Sequence, residues 1–259
     1  MLSVIIPAYD EEDRLPATLC ETLAFLDAST LSYEVIVVDD GSVDRTAELV
    51  AEIAQSAPAL RLIRLAENSG KGFAVRSGFI NAAGDRLLFM DADGATALEE
   101  IVNFLDVMTE TGADIIIGSR VHLPGSHTKV EAKWFRHVAG RIFHQFVKLY
   151  GVSGIRDTQC GFKLFTRDAA LSIASRMRID GYSFDVEMLL IAREMGYRIH
   201  EVSVNWTHQQ DSKVNVVADG ARMVADLMRV RRNAMTGVYR FARAGAARVE
   251  KNLTSADAG

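Results

Sequence analysis

A chain of 259 residues that is 49% hydrophobic can bury a full core without staples, and a net charge of −5 gives nucleic acid little electrostatic purchase as a partner. The two cysteines, Cys20 and Cys160, fall in no Cys-x-x-Cys or Cys/His ligand spacing, which argues against a disulfide framework or a zinc site and fits a reducing cytosol. Met1 leads straight into an apolar strand pattern with no room for a signal peptide, and no apolar run approaches the ~20 residues that span a bilayer, so any membrane contact is expected to be peripheral.

The first part of the chain alternates β-branched runs with helical stripes. Strands are expected at 2–7, 34–39, 60–65, 86–91 and 114–118. Between them, Leu15, Leu19, Leu23 and Leu26 make one apolar helical face, and Thr46, Leu49, Val50 and Ile53 another. Such alternation predicts right-handed βαβ units and an α/β fold with a mostly parallel central sheet flanked by helices. Beyond Gly118 the pattern loosens into a loop at 121–132, a helix near 133–150 and a glycine-rich irregular stretch at 151–163. A short helix at 167–176, a helix at 183–195 and a strand at 198–206 follow. The expected organisation is one domain over 1–215, a helical extension over 216–250 and a frayed tail at 251–259.

Chemistry gathers at the strand ends. Residues 86–93 run from an apolar strand into Asp91-Ala92-Asp93, and positions two apart on a strand point to one side, so the two carboxylates can converge on a cation. A lone Asp-x-Asp is common in solvated turns. Its weight here comes from the run Glu34 to Val38, which likewise ends in acids, Asp39-Asp40-Gly41-Ser42, because acidic ends of parallel strands share the edge where open α/β sheets bind ligands. Pro7-Ala8-Tyr9-Asp10-Glu11 leaves the first strand at that edge; it reads either as an ordinary helix entry or as a seat for a nucleobase and ribose. Asn68-Ser69-Gly70-Lys71-Gly72 opens a helix and offers amides and a lysine to an anion, although neither a P-loop nor Gly-x-Gly-x-x-Gly occurs.

Later in the chain, Gly118-Ser119-Arg120 adds a cation that is equally consistent with a surface arginine. The run from Gly154 to Phe165 is too dense in hydrogen-bonding groups for a spacer and reads as a loop crossing a site. Asp185 and Glu187, two apart on a helix, do not share a face, so one is expected at the site while the other caps or pairs. From Val217 to Glu250 the pattern is helical. Met223, Leu227 and Val230 lie on one side, with Arg229, Arg231, Arg232, Arg240, Arg243 and Arg248 around them. This is either a solvated basic face or one that docks on anionic lipid.

Together, Val4-Ile5-Ile6-Pro7, Val37-Val38-Asp39-Asp40-Gly41-Ser42, Asp91-x-Asp93, Gly118-Ser119-Arg120, the segment Ile155 to Lys163, Phe184-Asp185-Val186-Glu187 and Val204-Asn205-Trp206-Thr207 resemble family 2 glycosyltransferases of the GT-A fold. Within them the chain is most similar to the dolichyl-phosphate β-glucosyltransferase branch and its polyprenyl-phosphate relatives, over roughly residues 2–235. The resemblance implies that Pro7, Ala8, Tyr9, Glu11, Asp39, Asp40, Lys71, Gly72, Asp91, Ala92 and Asp93 line a nucleotide-sugar pocket, with Asp91 and Asp93 holding Mg²⁺ or Mn²⁺. It places Arg120, Gln159, Lys163, Ser212 and Lys213 at the acceptor phosphate, and gives Asp93, Asp185, Arg120 and Lys163 the transfer itself.

The implied reaction moves glucose from UDP-glucose to a polyprenyl phosphate with inversion, at the cytoplasmic face of the membrane, with the C-terminal helices touching the surface and self-association into a homo-oligomer left open. Gly94-Ala95-Thr96 after the acids favours UDP-glucose over GDP-mannose. A phosphate acceptor is already an anion and needs no general base. Three alternatives stay open: another donor such as GDP-mannose or UDP-GlcNAc, a hydroxyl acceptor activated by Asp185 or Glu187, and a catalytically silent nucleotide-sugar-binding protein.

Overall fold

A computed structural model describes residues 1–121, 154–207 and 218–240. The helix expected near 133–150, nearly all of the loop at 121–132, Ser212, Lys213, Arg243, Arg248 and the tail at 251–259 lie outside the described residues.

The strands are β1 (Leu2–Ala8), β2 (Tyr33–Asp39), β3 (Leu60–Arg64), β4 (Arg86–Met90), β5 (Ile115–Ser119), β6 (Phe162–Thr166) and β7 (Ile199–Ser203). They form one sheet in the order β3-β2-β1-β4-β6-β5-β7. All pairings are parallel except those of β6, which runs antiparallel to both β4 and β5. The helices are α1 (Leu15–Asp27), α2 (Thr46–Ala54), α3 (Lys71–Asn81), α4 (Glu100–Thr111), α5 (Arg167–Ala174), α6 (Phe184–Glu194) and α7 (Ala218–Met235).

Every residue of β1 is buried, as a strand covered on both faces requires. Its side chains divide by the period of two. Ile5 joins Ile36, Val38 and Phe89 in a core beneath α3, α5 and α6, whereas Val4 and Ile6 join Val35, Val37 and Leu88 in a second core beneath α1 and α4. Burying both layers brings β1, β2 and β4 to a common C-terminal edge, and that edge carries the site.

The structure corrects one expectation about the sheet. The stretch read as irregular to residue 163, and as a loop as far as Phe165, turns into strand β6 at Phe162. Within it Phe162 and Leu164 face one core and Phe165 the other. The glycines before it and the charged Lys163 within it gave a loop signal, because a lysine inside an apolar alternation is read as solvated. Here it is fully buried and answered by a distant carboxylate.

The described part of the C-terminal extension is built onto the core. Leu227, Val230 and Tyr239 are buried in the layer containing α6. The Tyr239 hydroxyl donates to Glu187 Oε1 at 2.9 Å, and the same carboxylate accepts the N–H groups of Arg178 and Ile179 at 2.9 to 3.0 Å. Burial pushes the Glu187 carboxyl up to about 7, although all three donors oppose the rise. A carboxyl whose value rises on folding disfavours the folded state as pH increases through the window from 4.5 to about 7, and the Tyr239 bond offsets part of that loss. Tyr239→Phe is therefore expected to lower the urea-unfolding free energy by ~1–3 kcal/mol. The loss should be larger at about pH 8, where Glu187 is ionised, than at about pH 6. Equal losses at both values would show that the hydroxyl does not stabilise the anion.

Candidate active site

Three connections meet at the common edge: residues 9–11 after β1, 40–42 after β2 and 91–94 after β4. They open on a cavity of about 490 Å³, closed on the far side by Gly161, Tyr182 and Trp206 and by Arg222, Met223 and Asp226 of α7.

Short polar links hold the first two connections together. Asp10, with a left-handed φ of 51°, donates its N–H to Ser42 Oγ at 2.9 Å and accepts the Val43 N–H on Oδ1 at 2.9 Å. Gly41 has φ +71°, and a Cβ there would lie 2.5 Å from the Glu67 carbonyl carbon, so only glycine lets the second connection pass under residue 67.

The acid pair lies just beyond β4 rather than on it. The turn 91–93, leading into Gly94 at φ +64°, brings both carboxylates to the cavity, so turn geometry replaces the strand pleat as the cause. The Asp91 N–H donates to the Gly161 carbonyl at 2.9 Å, and its carboxylate lies flat on that glycine: a Cβ at 161 would fall 1.9 Å from Oδ2. Oδ1 receives the Lys71 ammonium at 2.6 Å. Asp93 Oδ1 accepts the Ala95 N–H at 3.1 Å, and burial pushes its carboxyl up, with the charge of Asp91 adding to the rise. Burial draws the Lys71 ammonium down, but Asp91, with Asp185 and Asp93, outweighs it and the net shift is upward.

Several expected site residues stand elsewhere than at the cavity wall. Asp40 lines it, but Asp39 is fully buried behind, bonded to the Ser42 hydroxyl and with Arg64 Nε 3.5 Å from Oδ2. Asp39 Oδ2 has no hydrogen-bond partner. Asp40 instead accepts the Ser69 and Gly70 N–H groups at 2.8 Å each, fixing the approach to α3, and burial pushes its carboxyl up to about 6. Several amides at the start of α3 are already taken up: beside those of Ser69 and Gly70, the Gly72 N–H donates to the Asp180 carbonyl at 2.7 Å. A Cβ at Gly72 would lie 2.6 Å from both the Ile179 carbonyl oxygen and Phe184 Cβ. Gly72 is thus a packing position, and Lys71 is what that helix start presents to the cavity.

Lys163, expected at a phosphate, is wholly buried. Its ammonium donates to Asp185 Oδ1 at 2.5 Å and to the Cys160 carbonyl at 2.6 Å, with the Phe89 ring 5.5 Å away. Asp185 is nearly as buried, and burial pushes its carboxyl up against the opposing pull of Lys163. Neither residue lines the cavity. Glu187, on the other side of α6, is taken up by residues 178 and 179 and by Tyr239, so Asp185 is the acid of α6 turned toward the site. Gln159 stands outside the lining, its N–H donating to Asp157 Oδ1 at 3.2 Å.

Arg120 does line the cavity, in a fixed pose. Its Nε and Nη2 grip Asp157 at 2.7 and 2.9 Å, its own N–H donates to the same carboxylate at 2.9 Å, and its guanidinium stands 5.7 Å from the Trp206 ring centre. Burial alone would push Asp157 up, but the guanidinium outweighs it and holds the carboxyl below its ordinary range. Asp157 N–H is anchored in turn on Glu201 at 2.8 Å. Sequence reasoning did not single out Asp157 as the partner of Arg120, since 37 residues separate them. It also missed the wall made by α7, although Arg222 and Asp226, four apart on a helix, share a face that could have been marked.

Residues 3–173 match the model of glycosyl transferase family 2. The chain is 39% identical over 250 residues to the dolichyl-phosphate β-glucosyltransferase of Dictyostelium discoideum, covering 93% of this chain and 76% of that protein. It is 40% identical over 253 residues to the Homo sapiens enzyme of the same name, covering 93% and 78%. Its fold is that of glucosyl-3-phosphoglycerate synthase from Mycobacterium tuberculosis, solved with UDP, at TM-score 0.65 and 19% identity over 89% of this chain and 80% of that one. Mannosyl-3-phosphoglycerate synthase from Rubrobacter xylanophilus is similar at TM-score 0.64 and 19% identity over 92% and 75%. The sheet, its common acidic edge and the two relatives agree: the chain belongs to glycosyl transferase family 2, with the GT-A fold.

Proposed function

We propose that this protein transfers glucose from UDP-glucose to a polyprenyl phosphate of the dolichyl type, with inversion, giving a β-linked lipid phosphosugar. The observation that carries this reading is a single cavity in which two carboxylates and Lys71 face Arg120 across an open GT-A sheet edge. The activity for which the relatives at 39% and 40% identity are named supports the sugar and the acceptor class.

The donor set fits a hard divalent ion. Asp91 and Asp93 supply oxygens only, and no third acid, histidine or cysteine joins them in a metal-binding group among the described residues. That leaves the rest of a coordination shell to diphosphate oxygens and water, the arrangement Mg²⁺ and Mn²⁺ favour. A bound ion would neutralise charge on the departing nucleoside diphosphate. Lys71 is the second cation on that side. Arg120, fixed in orientation by Asp157, can orient an acceptor phosphate with its remaining N–H groups. Because that phosphate is an anion at neutral pH, orientation replaces proton abstraction, and in-line attack on the anomeric carbon inverts it. The buried Lys163 ammonium, paired with Asp185, holds the Cys160 carbonyl next to Gly161, on which Asp91 rests.

We also place the protein at the cytoplasmic face of the membrane as a peripheral enzyme. On α7, Met228 and Met235 are exposed beside exposed Arg229, Arg231 and Arg232, a pattern suited to an anionic lipid surface. No helix among the described residues is long and apolar enough to cross a membrane.

Labelled UDP-glucose, Mn²⁺ and a polyprenyl phosphate are expected to give chloroform-soluble label, more than GDP-mannose or UDP-GlcNAc gives. Label that stays in the aqueous phase with every prenyl phosphate tried would remove the lipid assignment. Gly161→Ala, which must displace the Asp91 carboxylate, should leave the fold intact by circular dichroism yet slow transfer about 100-fold. Turnover at the parental rate would mean that the pose of Asp91 is unimportant. Serine at both Met228 and Met235 should release the protein from anionic liposomes in flotation, and undiminished binding would place the membrane contact elsewhere.

A further inference from the structure

The Lys71 ammonium stands 2.6 Å from Asp91 Oδ1, on the carboxylate that the donor reading assigns to a divalent ion. The carboxylate has little freedom to turn away, because its other side rests on Gly161, where even a Cβ would come within 2.3 Å of both oxygens. The lysine backbone is fixed as well. Lys71 is the first residue of α3, and the next residue is tied by its N–H to the Asp180 carbonyl at 2.7 Å, while Gly70 ahead of it is tied to Asp40. The freedom that remains lies in the four-carbon stem. Its side chain is 30% exposed, so the ammonium can swing into the cavity.

An ion ligated at Oδ1 would sit at ~2.0–2.2 Å, and an ammonium hydrogen-bonded to the same oxygen would then be a like charge in near contact. We infer that Lys71 is a resident counter-cation of Asp91 that the donor diphosphate draws off, so that nucleotide binding opens Asp91 to the metal and the two bind cooperatively. This rests on the donor reading above and deepens it. Metal alone must break the ion pair; metal arriving with a diphosphate finds the ammonium a new anionic partner. Reciprocity follows, and the metal must tighten nucleotide binding by the factor by which nucleotide tightens metal binding.

The test is Mn²⁺ binding, read by electron paramagnetic resonance of the free ion, with and without UDP, for the parent, Lys71→Met and Lys71→Arg. The parent should bind Mn²⁺ weakly alone and about tenfold or more tightly with UDP. Lys71→Met should bind Mn²⁺ alone about tenfold more tightly than the parent, and its UDP coupling should shrink correspondingly. Lys71→Arg, which keeps a cation beside Asp91, should behave like the parent. If Mn²⁺ and UDP bind together but Lys71→Met leaves both the metal affinity and the coupling unchanged, the counter-cation role is overturned while the donor reading stands. If Mn²⁺ fails to bind under any of these conditions, both fall.

Discussion

Strand β6 enters the sheet between β4 and β5 with a lysine at a position that both core layers cover, and the site is organised by how that charge is answered. An ammonium in such a place is strongly disfavoured unless it is paired and hydrogen-bonded. Asp185, brought in by α6, and the Cys160 carbonyl supply that pairing. The same insertion carries Gly161 alongside the end of β4, where its carbonyl accepts the Asp91 N–H and its bare Cα supports the Asp91 carboxylate. One antiparallel strand thus fixes both the buried ion pair and the pose of the acid that faces the cavity.

Three cations in and around the site are held on carboxylates to different depths. Lys163 and Asp185 are buried, Lys71 and Asp91 both line the cavity, and Arg120 lines it while its partner Asp157 is buried. The differences in exposure separate their roles. A fully buried pair is a fixed part of the scaffold, because parting it would strand a charge in the core. The Lys71 pair is about one-third exposed and can exchange partners with an incoming anion. Arg120 is about as exposed as Lys71, but two of its nitrogens grip a buried carboxylate and an aromatic ring backs it.

The C-terminal extension is part of this arrangement. Helix α7 supplies one wall of the cavity with Arg222, Met223 and Asp226, while Leu227, Val230 and Tyr239 are seated in the core. Tyr239 reaches the carboxylate of Glu187, and Glu187 in turn holds residues 178 and 179, which precede the Asp180 carbonyl that closes the start of α3. Hydrogen bonds and chain continuity therefore link the turn that follows α7 to the helix that carries Lys71.

The local order of this protein was legible in its residues. The β-branched runs of β1 and β2, the short apolar run of β4 and the leucine stripe of α1 mark strands and a helix, and parallel strands ending in acids must bring those acids to one edge. What those periods could not reveal was partnership across the chain. That Lys163 belongs to a strand, that Asp39 turns inward while Asp40 faces the cavity, that Gly72 is closed by Asp180, and that Arg120 is held by Asp157 all depend on which distant group arrives alongside. The periodicity of a segment is a property of its own side chains. The environment of a charge is set by residues tens to a hundred positions away, so the sequence alone determined the elements and the shared edge, and only tertiary packing decided which of the charged groups there are exposed, paired or buried.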